Sequence, residues 1–335
     1  MPDLNRQWKL IRRPSGMLAD GDLQLSESPL PSLAEGQALA KVAYFSIDPT
    51  MRVWMSDIPQ YMPPVALGDV MRCIGLAQIV ASRAKDFKQG DKIMGFTGLQ
   101  QFVLVDTSQK QYFQKVPSLP FVSDSTFLGT LGVTGLTAYF GMMDIAKPQK
   151  GETLVVSAAA GATGSIAGQI GKIHGCRVVG IAGTQEKCAW LTRDLGFDAA
   201  IDYKQPDWKE RLAEATPKGI DIDFENVGGE IMQEVLNRMN LFGRVALCGL
   251  ISGYNRQDPG LASFGTALIK RLRIQGFIVL DYAPKFMEAA TQLGKWKMFG
   301  KLKDRETIVE GIEKAPSAIN MLFTGANIGK LVVKL

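Results

Sequence analysis

Val155-Val156-Ser157-Ala158-Ala159-Ala160-Gly161-Ala162-Thr163-Gly164 is the stretch that decides the fold. An apolar run from Thr153 leads into a cluster of small residues. A helical pattern then continues to about His174, with Gly175 as its stop. Strand, tight turn and helix in that order form the context of the dinucleotide-binding turn G-x-G-x-x-G. Against that pattern Ala159 stands at the first glycine place, and Gly161 and Gly164 fill the other two. Gly161 lets the backbone approach a pyrophosphate, and Gly164 lets the helix pack close to the strand. Unpaired N–H groups at the helix start attract phosphate. Gly168 and Gly171 extend the small-residue face of the helix.

Around this turn, apolar strands alternate with helical segments. The pattern predicts strands at Thr153–Ala158, Arg177–Ala182, Ala199–Tyr203, Ile220–Glu225, Arg244–Cys248 and Arg273–Val279. Several are near-continuous apolar runs, as strands buried on both faces require. The fold class is therefore α/β, with a doubly wound parallel sheet over residues 127–302. Residues 1–126 read differently. Strands at Gln37–Ile47, Val70–Ala81, Lys92–Phe96 and Gln101–Val105 are punctuated by Gly, Pro and Asp, which predicts a compact, partly open β-barrel. Residues 303–335 hold a short helix around Pro316–Phe323, stopped at Gly325, and a last strand, Lys330–Leu335, expected to return to the first domain.

The tip of the second strand of the α/β domain bears on the choice of nucleotide. NAD-binding sheets place Asp or Glu there to hold the ribose hydroxyls. Here Gly183 occupies that place and leaves room for a 2′-phosphate. Thr184 offers a hydroxyl, Lys187 a charge one turn on, and Tyr203 a further contact from the end of the third strand. Glu186 is the opposing feature, since a displaced carboxylate can still reach a ribose. The balance favours NADP over NAD.

Composition narrows the function classes. The chain has 335 residues, enough for two cores, with 46% hydrophobic and 21% charged residues. The net charge of +5 is scattered rather than gathered into a basic, aromatic-laced stripe, which argues against a nucleic-acid face. No apolar run reaches membrane-spanning length, and Met1–Ala19 does not read as a signal peptide, so a cytoplasmic enzyme is expected. Cys73, Cys176, Cys188 and Cys248 form no C-x-x-C pair, and His174 is the single histidine, at a helix end without an expected catalytic duty. A zinc site is hard to build from that set, so no metal is expected. A disulfide framework is not indicated, which fits a reducing compartment.

The chain resembles the zinc-independent medium-chain dehydrogenases/reductases. Within them it is most similar to the prostaglandin/leukotriene reductases, plant alkenal double-bond reductases and bacterial curcumin reductases. The resemblance covers nearly the whole chain. It is carried by Ser46-Ile47-Asp48-Pro49-Thr50-Met51-Arg52, Gly135–Gly141, Ala158–Gly164, Phe224-Glu225-Asn226-Val227-Gly228-Gly229, Cys248–Asn255 and Asn327-Ile328-Gly329-Lys330. It implies a GroES-like catalytic domain, a Rossmann domain, a cleft between them, a homodimer paired through the Rossmann domains, and NADPH. It further implies that Lys187 and Tyr203 hold the 2′-phosphate, with Gly183 and Thr184 beside it. Thr137, Ala160, Gly161, Thr163, Gly164, Asn226, Cys248 and Ile251 would line the cofactor, and Asn327 would reach it. Phe277, Ile278 and Val279 would lie near the nicotinamide.

The implied reaction is NADPH-dependent reduction of the carbon–carbon double bond of an enal or enone. Tyr254, in the Gly253-Tyr254-Asn255 loop, would donate to the substrate oxygen as the catalytic residue. Thr50, Tyr61 and Ile278 would complete the substrate side. Two departures concern that side: Thr50 stands where the family commonly has tyrosine, and an aromatic pair near Leu99–Phe102 is partly lost. Quinone reduction on the same cofactor site is the rival activity, and a non-enzymatic NADPH-binding protein is the alternative outside catalysis.

Overall fold

The computed structural model describes residues 4–108, 113–117, 122–255 and 265–335. They form two compact units. One comprises Met1–Leu128, Glu306–Asn327 and Leu331–Leu335, and the other Gly129–Arg305 and Ile328–Lys330. None of the described helices is long and apolar enough to cross a membrane.

The first unit opens with an antiparallel pair, β1 (Leu4–Leu10) and β2 (Leu23–Pro29), which is a sheet of its own. Then come β3 (Gln37–Ile47), the single-turn helix α1 (Thr50–Trp54), β4 (Ile74–Ser82), β5 (Lys92–Phe96), β6 (Phe102–Asp106) and β7 (Gln114–Lys115). The larger sheet is antiparallel from β3 through β4 and β5 to β7, and β6 pairs with β3 as a branch. Ala38, Ala40, Val42, Phe45 and Ile47 of β3 enter the core with Met51, Met55, Ile79 and Ile93.

The second unit begins with α2 (Val133–Phe140), which continues as one π-helical turn over Gly141–Ala146. β8 (Thr153–Val156), α3 (Ala162–Ile173), β9 (Arg177–Ala182), α4 (Gln185–Arg193), β10 (Ala199–Asp202), α5 (Trp208–Ala215), β11 (Ile220–Glu225), α6 (Gly229–Arg238) and β12 (Met239–Leu247) alternate without a break. α7 (Gly265–Lys270), β13 (Arg273–Gly276) and α8 (Phe286–Met298) complete it. The six strands are ordered β10-β9-β8-β11-β12-β13 and all pair in parallel. This is the doubly wound order with its switch between β8 and β11, where such sheets bind ligands at their carboxyl ends. Both faces are covered, with Leu154 and Val178 in one core and Val155 and Val179 in the other.

The chain ends with β14 (Glu306–Glu310), α9 (Ala315–Thr324) and β15 (Lys330–Lys334). β15 inserts between β14 and β3 and runs antiparallel to β3. Gly325 stops α9 in the left-handed region at φ 73°.

Several element limits differ from the sequence reading. β8 stops at Val156 rather than Ala158, because Ala158 turns the chain at φ 46°. β13 stops at Gly276, opposite Leu247, where its partner β12 ends; Val279 starts a helical turn instead of ending a strand. β4 begins at Ile74 because Val70 and Met71 are drawn aside to β1 by an isolated bridge and the Met71 N–H to Trp8 bond.

Candidate functional site

The turn after β8 is built by close approach. Gly161 N–H bonds back to Ala158 O at 2.9 Å, and Ala159 N–H reaches Ile181 O of β9 at 2.9 Å. A Cβ at Gly164 would lie 2.6 Å from Ala158 O and 3.0 Å from Ala159 Cα, so only glycine lets α3 start this close to the strand. Gly164 thus acts through packing, as does Ala160, which is buried and whose carbonyl accepts from Gly329 N at 2.8 Å. Gly161 caps α3 with extended backbone, leaving Gly161 and Thr163 at the half-buried rim where the first N–H groups of the helix emerge. His174 caps the far end of α3, its Nδ1 beside Ile170 O and its ring edge-on to Trp296.

At the tip of β9 the sequence reading left a vacant place, and the structure fills it from the side. A Cβ on Gly183 would lie 2.8 Å from Cε1 and 3.2 Å from the hydroxyl of Tyr203. The tyrosine ring, 41% exposed, is seated against the glycine backbone. Thr184 caps α4, its hydroxyl oxygen accepting Lys187 N–H at 3.2 Å. The Lys187 ammonium is held below the ordinary lysine range, first by burial of its stem and next by the charge of Lys204, with Glu186 opposing. Glu186 is drawn to Arg305, 3.2 Å away. The carboxylate next to Lys187 is thereby turned to a second cation. Sequence reasoning missed Arg305 and Lys204, because neither lies within a motif.

The loops after β11 and β12 form the other half of the crevice. Asn226 donates its backbone N–H to Ser157 Oγ and its Nδ2 to Ser157 O, both at 2.7 Å. That fixes the carboxamide by its nitrogen. Cys248 N and Gly249 N donate to Glu225 O, Ile251 N to Asn226 O, and Ser252 N and Oγ to Val227 O. Burial, with the nearby Glu225 charge, pushes the Cys248 thiol up to about 12, so it remains a neutral wall. Tyr254 folds back over this loop, and its phenol oxygen accepts Leu250 N–H at 3.3 Å. Thr137, half-buried on α2, is spent on its own helix, its hydroxyl donating to Val133 O at 2.7 Å. Phe277 meets Phe224 edge-on at 6.5 Å, Ile278 is half-buried and Val279 is buried.

The remaining candidates belong to the first unit. Thr50, the first residue of α1, shares a 2.6 Å hydrogen bond between its hydroxyl and that of Tyr61. Trp54 Nε1–H donates to the same phenol at 3.2 Å, and the Arg72 guanidinium lies over the Trp54 ring at 5.4 Å. Two substrate-side candidates eleven residues apart are thus one hydroxyl pair, and Arg72 joins them without having been singled out. Arg52 is buried, donating to Pro14 O, Gly16 O and Ser56 Oγ, which makes it a brace for α1. Asn327 is buried immediately before the Ile328–Lys330 segment.

What these parts accommodate is an anionic dinucleotide: helix N–H groups at the turn, an ammonium and a tyrosine at the β9 tip, and no carboxylate where an NAD ribose would need one. Among the described residues, no three His, Cys, Asp or Glu side chains cluster as metal ligands.

Comparison with known proteins identifies the family. Residues 6–114 match the N-terminal domain of oxidoreductases, and residues 162–295 match a domain described as zinc-binding dehydrogenase. The chain is 42% identical to the NADPH-dependent curcumin reductase of Escherichia coli (strain K12), over 99% of this chain and 97% of that protein. It is 38% identical to the NADP(+)-dependent 2-alkenal reductase of Nicotiana tabacum, over 98% and 97%. The crystal structure of CurA from Vibrio vulnificus in complex with NADPH superposes with a TM-score of 0.92 at 41% identity, covering 98% of both chains.

Proposed function

The chain belongs to the zinc-independent medium-chain dehydrogenase/reductase family, and we infer that it is an NADPH-dependent reductase of the carbon–carbon double bond of α,β-unsaturated aldehydes and ketones. The observation that carries the cofactor is the tip of β9. Tyr203 closes over Gly183, Lys187 stands beside them, and Arg305 draws Glu186 away. We assign Lys187, Tyr203 and Thr184 to the 2′-phosphate, and Gly161 with the first turn of α3 to the pyrophosphate. Asn226, Cys248, Ile251, Phe277 and Val279 are assigned to the nicotinamide half, with Asn327 in support.

When bound, NADPH supplies a hydride to the β-carbon of the substrate. Negative charge then develops on the substrate carbonyl oxygen. Tyr254 is assigned as the catalytic residue that donates to this oxygen. A phenol that itself accepts a backbone N–H is a stronger donor, because the bond from Leu250 stabilises charge on its oxygen. Thr50 and Tyr61 are assigned to the substrate, as a hydroxyl pair backed by Trp54, with Ile278 as an apolar contact.

We also propose a homodimer formed by the second units. Strand β13 ends the sheet order, so one of its edges is unpaired among the described residues. Leu241, Phe242, Leu268 and Ile269 are exposed on the same unit, Phe242 at 64%. We place the protein in a reducing, cytoplasmic setting, which suits thiols such as Cys176 and Cys248.

The test is NADPH consumption against a panel of enals, enones and quinones, with product analysis. Saturated carbonyl products from enals or enones are expected. Turnover of quinones alone would replace this reading with quinone reduction, and no turnover with any acceptor would leave a binding protein.

A further inference from the structure

Two carboxyl groups are sealed inside the second unit. Asp223 and Glu225 lie two residues apart on β11, hence on one face, and both are 0% exposed. Buried carboxyl groups are costly unless a partner satisfies them. Glu225 Oε1 has partners in number: the Ser157 hydroxyl at 2.7 Å, Gly228 N–H at 2.8 Å, and Val227 N–H. Among the described residues, Glu225 Oε2 and both Asp223 oxygens meet no other donor, so the two carboxyl groups are left to each other, where a proton on one can bridge to the other. All groups on Oε1 are donors, the pattern that holds a carboxylate ionised.

The charge balance follows from what faces the pair. From β11 itself there is only the other carboxyl, from the turn after β8 the Ser157 hydroxyl, and from the loop after β12 the Cys248 thiol. No Lys, Arg or His is among their partners. Burial pushes Asp223 well above the usual carboxylate range, with the Glu225 charge adding to it. Burial also raises Glu225, while its bonds to Gly228, Ser157 and Val227 pull it back. Two charges so close in a buried site oppose each other, and the donors gathered on Oε1 favour Glu225 as the one that carries charge.

Glu225 also stands where the cofactor loops meet. Its carboxylate grips Ser157, which in turn holds Asn226 through Oγ and the main-chain carbonyl. It also grips the Val227 and Gly228 amides of the next loop, and its own carbonyl takes the Cys248 and Gly249 amides of the loop that carries Tyr254. Three loops from three strands converge on one residue at the switch between β8 and β11. We propose that Glu225 is the positioning residue of the dinucleotide crevice, a buried clamp that sets the turn after β8 and the loops after β11 and β12 in their binding geometry.

The inference rests on the assignment of NADPH to this crevice, and binding rather than turnover tests it. NADP+, which is stable in acid, is titrated against the wild type, Glu225→Gln and Ser157→Ala by protein fluorescence between pH 5 and 8, with thermal stability measured alongside. Glutamine keeps the shape and loses the charge; alanine at 157 removes the link to Asn226 and leaves Glu225 in place. Each variant is expected to bind NADP+ about tenfold or more weakly at pH 7.5, the scale of one lost bond to a charged group. The wild type should lose affinity as pH falls into the raised range of Glu225, because the clamp needs the ionised form. In Glu225→Gln the acid limb should shrink to the part owed to the 2′-phosphate, whose second pKa is about 6. The 2′-phosphate titrates alike in all three proteins, so the difference between curves belongs to Glu225. Wild-type affinity and an unchanged acid limb in both variants, even with a lower melting temperature, would reduce Glu225 to a core residue and overturn the proposal. Failure of the wild type itself to bind NADP+ would overturn the cofactor reading first, and the proposal with it.

Discussion

Lys187 is the side chain proposed to decide nucleotide choice. Its ammonium is already desolvated and already repelled by Lys204. A bound phosphate relieves both costs at once. Lys187→Ala is therefore expected to weaken NADPH binding by about 1–3 kcal/mol and leave NADH binding nearly unchanged. Isothermal titration with the two nucleotides checks this, and equal losses for both would remove Lys187 from the phosphate. Tyr254 is tested by Tyr254→Phe, which keeps the ring and deletes the hydroxyl that lies against Gly249 and Leu250. Single-turnover hydride transfer to an enone should slow by about ten- to a thousandfold, with NADPH affinity little changed. Transfer at the wild-type rate would leave the tyrosine a packing role. Lys187, Tyr203 and Tyr254 could be singled out from sequence because they sit at fixed offsets from strand ends, and their roles await the measurements above. Arg305 and Arg72 could not, because they meet Glu186 and Trp54 only through tertiary folding.

Among the elements, the strands of the parallel sheet were legible because burial on both faces writes them as unbroken apolar runs, Val155 and Val156 or Val178 and Val179. β1, β2 and β14 carry no such run. Arg6, Gln7 and Lys9 interrupt β1, Ser26 and Glu27 interrupt β2, and Glu306 and Glu310 bound β14. Those strands exist through their partners rather than their own pattern. The end of β13 was misplaced for a related reason: Phe277, Ile278 and Val279 are apolar enough for a strand, but β12 offers no ladder beyond Leu247. The β9 tip makes a sharper case. Sequence reading saw Gly183 as an absence of charge, whereas the structure shows it as the seat of a ring. Gly183→Asp should therefore fail to convert the protein to NAD use. The new side chain would collide with Tyr203, and affinity for both nucleotides should fall, most for NADPH. A clean gain in NADH affinity, measured by fluorescence titration, would contradict this.

For the whole molecule, the proposed dimer depends on one apolar surface of the second unit. Phe242 holds a left-handed backbone at φ 64° and lies under the Arg271 guanidinium, 4.9 Å from the ring centroid. An exposed phenylalanine kept in a disfavoured conformation suits a contact that buries it. Phe242→Asp is expected to yield monomers by light scattering while the isolated chain keeps its NADPH binding; a dimer of unchanged stability would move the interface elsewhere. The pairing of β15 with β3 reaches across almost the whole chain. On the ribosome, β3 emerges early and must wait for its neighbour until nearly everything else has been made. Loop closure over such a span is slow, and an apolar strand left without its neighbour invites wrong partners. The parallel sheet, whose strands follow one another, needs no such delay. Synthesis therefore builds the nucleotide-binding half first and closes the barrel of the other half last, so chaperone dependence should fall on the older end of the nascent chain.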